Sequence, residues 1–175
     1  MGGYKDLLVY RLATTIYDST LDFCERFLKN LQFRRLVEQM IHAARSGKQN
    51  IVESDIKLTG VARASFGELL EDFKDFLRQR KLPIWSKEDP RILRIRAYRE
   101  STTNLTSLAN LSNCASLDLD RPEDFANLMI CLIYKENYLL DQLLRAQEHT
   151  FVKEGGFREK LFKKRMQERR NYHAN

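Results

Sequence analysis

Apolar side chains recur every three or four positions through most of this chain, a spacing that an amphipathic α-helix gathers onto one face and a β-strand cannot. Residues 4–28 carry it at Val9, Ala13, Ile16, Thr20, Phe23 and Phe27. Residues 33–53 repeat it at Leu36, Met40, Ala43, Gly47 and Ile51, with small residues at the centre where another helix can approach closely. Residues 54–80 continue through Leu58, Val61, Ser65, Leu69, Phe73, Phe76 and Leu77. Ser54 or Asp55 can cap that third helix, and Pro83 with its neighbours ends it. The second and third segments are joined either by a tight corner at 52–55 or with almost no break. Only 7 Gly and 3 Pro punctuate 175 residues, too few for the many turns of an all-β fold.

The second half is less regular. Residues 82–89 read as a linker whose Trp85 plugs the end of the bundle. Pro90 then opens a further helix over 89–113, weakened from Ser101 onward by Ser, Thr and Asn. A break follows at 114–120, and Pro122-Glu123-Asp124 makes a favourable first turn. The segment 122–149 has the widest stripe: Phe125, Leu128, Leu132, Leu139, Leu143 and Ala146, thickened by Met129, Ile133, Leu140 and Leu144. Gly155-Gly156 interrupts the chain, after which Phe157, Leu161, Phe162 and Met166 mark one apolar edge of a basic helix fading after Arg170. The predicted architecture is all-α: an up-down four-helix bundle over 1–150 with an inserted helix, then a basic helical suffix at 151–175.

Several function classes lose support at once. The longest apolar run, residues 128–134, falls far short of the roughly 20 residues of a membrane span, and the N-terminus lacks a signal-peptide core, so a cytoplasmic protein without membrane contact is expected. Cys24, Cys114 and Cys131 are odd in number and without a CxxC, which favours reduced, buried thiols over disulfides or zinc. His42, His149 and His173 are scattered, no Glu-x-x-His pair suggests a di-metal bundle, and no glycine-rich phosphate loop is present. No enzyme and no cofactor are expected. Glu68, Glu71, Asp72 and Asp75 read as a solvated acidic face, some of it paired with Arg45 or Arg63.

Charge carries the functional signal. The formal net charge is +6, and the residues from Lys153 onward hold eight bases against three acids. Most of the excess therefore sits in the suffix, at Lys160, Lys163, Lys164, Arg165, Arg169 and Arg170. On the second helix Arg34 and Arg35 open the segment, and Arg45 and Lys48, three apart, share a face. Such side chains bind phosphate without reading sequence.

These residues resemble the four-helix-bundle family of ribosomal RNA intervening-sequence proteins, in its suffix-bearing branch. The likeness rests on Tyr-Lys-Asp-Leu-Leu-Val-Tyr at 4–10, Gln-Met-x-x-Ala-Ala-Arg-Ser-Gly-Lys-Gln-Asn-Ile at 39–51 and Val-Ala-Arg-Ala-Ser at 61–65. It continues through Leu-Leu-Glu-Asp-Phe at 69–73, Asp-Phe-Leu-Arg at 75–78, Asn-Tyr-Leu-Leu-Asp at 137–141 and Glu-Gly-Gly-Phe at 154–157. The resemblance implies a homo-oligomeric ring, a pentamer, without known catalysis. A related branch, the accessory variability determinant of diversity-generating retroelements, uses a basic barrel to engage RNA and a reverse transcriptase. The family's basic positions correspond to Arg45 and Lys48. The chain departs from its relatives at 51–58, where their Ser/Thr-rich loop is missing.

Two functions are thus expected. The first is an oligomeric scaffold binding RNA or DNA through Arg34, Arg35, Arg45, Lys48 and the suffix. The second is a protein-docking adaptor, such as an accessory subunit for a reverse transcriptase.

Overall fold

A computed structural model describes residues 7–52, 55–98 and 108–174, the side chains of 157, 158, 160 and 171–174 excepted. The described residues are helical and contain no strand. Helix α1 spans Leu8–Phe27 and buries Val9, Leu12, Ala13, Ile16, Thr20, Phe23 and Cys24. A 3-10 turn at Leu31–Phe33 leads into α2, Arg34–Gln49, which buries Met40, Ala43, Ala44 and Gly47. The small residues have the expected use, since a Cβ on Gly47 would lie 2.6 Å from the Phe66 ring. Helix α2 ends by Asn50, earlier than the predicted 53, and Asn50 Nδ2 donates to the Ser46 carbonyl.

Helix α3, Ile56–Gln79, begins at Asp55, whose carboxylate accepts from the Lys57 and Leu58 backbone N–H groups at 2.8 and 3.2 Å. Ser54 lies outside the described residues. The α2–α3 connection is a corner and not a near-continuous helix, because the chain turns at 51–52 and Ser65 Oγ bonds Ser46 Oγ at 3.0 Å. The buried stripe of α3 differs from the predicted one in its first turns. Val61 is 40% exposed, while Thr59, Ala62 and Phe66 are buried in its place. A helix contacting neighbours on two sides buries a face wide enough to hold either set, and spacing alone does not choose between them.

Trp85 closes one end of the core as expected. Its indole N–H donates to Glu123 at 3.0 Å, its backbone N–H donates to Asn127 Oδ1 at 2.9 Å, and the Arg91 guanidinium lies 3.4 Å from the ring centroid. Asn127 Nδ2 donates back to the Pro83 carbonyl. The single helix expected over 89–113 is broken. Helix α4 covers only Pro90–Ala97, Tyr98 is extended, and α5 resumes at Leu108–Ala115, with 99–107 outside the described residues. Among the described residues, α4 ends where Tyr98 turns extended. Helices α4 and α5 pack together, and α4 also packs against α6.

Helix α6 runs from Pro122 to Glu154, five residues past the predicted end, and stops at Gly155 with φ 78. Its 33 residues are about 50 Å long at 1.5 Å per residue. Everything from Phe125 to Ile133 is buried, yet Ala146, expected in the core, is exposed. The core is formed where α3 packs against α2 and α6, and α1 against the same two helices. Phe23 is its hub, with ring centroids of Phe73, Phe76 and Phe125 at 4.9, 4.8 and 5.4 Å. Helix α7, Phe157–Ala174, carries the suffix. Among the described residues no helix is long and apolar enough to cross a membrane.

Candidate nucleic-acid interface

About 100° of rotation per residue puts Arg34, Arg45 and Lys48 within a narrow sector of α2 and turns Arg35 toward α3. Their surroundings differ. Arg34 is 78% exposed, but its guanidinium donates to Glu38 at 3.0 Å, which offsets its charge toward an incoming phosphate. Lys48 is half-buried, with Nζ 4.4 Å from the Tyr17 ring centroid, which holds the ammonium in place and leaves its positive charge intact. Arg45 is exposed and makes no ion pair among the described residues. It is not the partner of the α3 carboxylates, and Arg63 reaches across to Asp141 of α6 at 3.0 Å instead.

Arg35 belongs to a different place. It lines a cleft of about 650 Å³ with Glu38, Gln39, His42, Ala43, Glu68 and Asp72. Burial, then the carboxylates of Glu68 and Asp75, push the Asp72 carboxyl up to about 6. The acidic row on α3 is therefore split, with Glu71 and Asp75 paired to Lys74 and Arg78 while Glu68 and Asp72 face the cleft. A phosphate is repelled there, so Arg35 stands apart from the other bases.

The suffix bases are displayed on α7. Lys163, Lys164, Arg165, Arg169 and Arg170 are all exposed and form no ion pair with a described carboxylate; the Lys160 side chain lies outside the described residues. None of the principal helix contacts involves α7. The single apolar edge expected for it is absent. Phe162 and Met166, four apart, form one strip, and Leu161 lies roughly 100° from Phe162 on another. Cations fall between these strips, so the helix has no broad greasy side to lay on a lipid surface.

The thiols lie away from this surface. Burial, then Asp72, pushes Cys24 up to about 12; burial pushes Cys131 up to about 11 against the opposing Arg96 and Lys135. Comparison with protein-family models, curated proteins and solved structures gives no match for this chain. What sequence reasoning missed is the pair Tyr134 and Tyr138, the first counted in the apolar run 128–134 and the second not singled out, which are 53% and 62% exposed. Their four-residue separation, between lysines and arginines, was the available signal.

Proposed function

We propose that this chain is a non-enzymatic, self-associating helical scaffold that binds nucleic acid through exposed basic surface, the suffix foremost. The observation that carries the reading is α7: a helix dense in unpaired, solvent-facing lysine and arginine that stands clear of the core. Those charges have no task within their own subunit, and phosphate is the partner their chemistry suits. Arg45 and Lys48 add a second basic point, Lys48 steadied by Tyr17.

The arrangement is an up-down four-helix bundle of α1, α2, α3 and α6, with α4 and α5 inserted. Each of the four packs against two of the others, and between α3 and α6 the pairs Arg63–Asp141 and Lys74–Tyr134 advance along one helix as they retreat along the other. The sequence resemblance adds a ring of five subunits. Exposed Leu21, Val61, Ile84 and Leu93 are apolar surface that association would cover.

The test is fluorescence anisotropy with labelled RNA at low salt, on the full chain and on a variant with Lys163, Lys164, Arg165, Arg169 and Arg170 changed to Gln. Strong binding by the first and its loss in the second supports the reading; equal binding refutes the suffix as the main contact. The adaptor reading draws on α7's half-exposed Leu161, Phe162 and Met166, which could seat on a protein such as a reverse transcriptase. A pull-down with and without residues 153–175 separates the two.

A further inference from the structure

Away from both basic regions, helices α3 and α6 lie side by side and leave a shallow groove with unusual contents. Tyr134 and Tyr138 stand on one face of α6, four residues apart, 53% and 62% exposed. Neither has been buried by the fold, although a tyrosine ring offers as much apolar area as many core side chains. Across the groove Lys74 places its ammonium 5.4 Å from the Tyr134 centroid, steadied by Glu71 at 2.8 Å. One end is closed by the Arg63–Asp141 pair. Between Arg63 and Lys74 sits Gly67, where an added Cβ would meet only Arg63 Nη1, at 3.8 Å. Arg145 continues the same face of α6, two turns beyond Tyr138, and Lys135 flanks Tyr134.

We infer that this groove is a stacking platform for unpaired nucleobases: Tyr134 and Tyr138 receive base faces, while Lys74, Arg63, Lys135 and Arg145 attract the backbone phosphates. The inference rests on the nucleic-acid reading above and narrows it to single-stranded nucleic acid. Aromatic faces interleaved with cations are how proteins hold single strands without reading their sequence, because every base has a π-face whereas a duplex hides its own. The four cations exceed the carboxylates of the same surface, Glu71, Asp141 and Glu148, by one, and Glu71 and Asp141 are already paired. A second copy of the chain is the competing occupant, since tyrosine and arginine also dominate protein interfaces. In a ring of five this surface would meet a different face of the next copy, so assembly mass is the readout that separates that occupant from a single strand.

The experiment compares the full chain with Y134L/Y138L and Y134F/Y138F, using a mixed-sequence single-stranded RNA and a duplex of equal length. Both positions are exposed, so the fold tolerates each change, and circular dichroism with light scattering verifies fold and assembly mass. The platform predicts that the leucine variant, which removes both stacks, loses roughly thirtyfold or more in single-strand affinity. Duplex affinity and the slope of log affinity against log salt stay unchanged, because stacking releases no counterions. The phenylalanine variant, which keeps both rings, binds like the parent. Undiminished single-strand binding by the leucine variant overturns the platform, as does equal weakening for duplex and single strand. A drop in assembly mass assigns the groove to contacts between copies. Failure of the unaltered chain to bind either probe removes the nucleic-acid reading itself, a result distinct from all of these.

Discussion

Glu136 offers the sharpest test of how this core is built. Its side chain is fully buried on α6, and neither carboxylate oxygen has a hydrogen-bond partner. Burial raises its carboxyl well above the ordinary value near 4.5, with Lys135 opposing only in part. The folded protein therefore prefers the protonated acid, whereas the unfolded chain ionises normally. Stability from this group is complete below the unfolded value and is lost as pH rises toward the folded one. Over that window the loss is about 1.4 kcal/mol per pH unit, against the roughly 5–15 kcal/mol that holds a domain folded. Glu136→Gln keeps the shape and removes the titration. Urea unfolding followed by far-UV circular dichroism at about pH 5, 6 and 7 measures both proteins, with m-values checked for constancy. The difference between them isolates Glu136 from Asp72, which is raised to about 6 and acts in the same direction in both. The variant should gain on the parent at each step upward in pH. A constant difference across the series refutes the reasoning and shows that the carboxylate is ionised and solvated in the folded state.

Three further outcomes follow from the packing. Gly47→Ala drives a methyl group into the Phe66 ring, already 2.6 Å from the Cβ position, and should destabilise by about 1–3 kcal/mol, read as a lowered thermal midpoint. In the native protein near neutral pH, Cys24 and Cys131 should resist thiol-labelling reagents that modify all three cysteines after unfolding, with the half-buried Cys114 reacting first. Trp85→Phe removes the donor to Glu123 and should lower the thermal midpoint, while Arg45→Gln, on the open surface, should leave it unchanged.

Much of the fold was legible because helical periodicity is a local property. Val9, Ala13, Ile16 and Phe23 needed only their spacing to be placed on the buried side of α1, and Pro122 with two acids marked the start of α6 to the residue. Legibility failed where a neighbour decides. Val61 and Ala62 both fit a helical face, and contact with the flanking helices buries the second. The same limit governs the site. Sequence identified the bases but not that Glu38 neutralises Arg34, that Tyr17 cradles Lys48, or that Arg35 turns into an acidic cleft. Each of those partners comes from a different turn or helix. Tyr134 lay in the apolar run 128–134, and such a run does not say which of its members the bundle leaves outside.

The most direct test of the central claim is the salt dependence of RNA affinity for the full chain. Neutralised phosphates release counterions, so log affinity should fall linearly with log salt by roughly 0.7 to 0.9 per phosphate, and replacing the exposed suffix bases with glutamine should flatten that line. Affinity that ignores salt, or a slope indifferent to those replacements, contradicts the account.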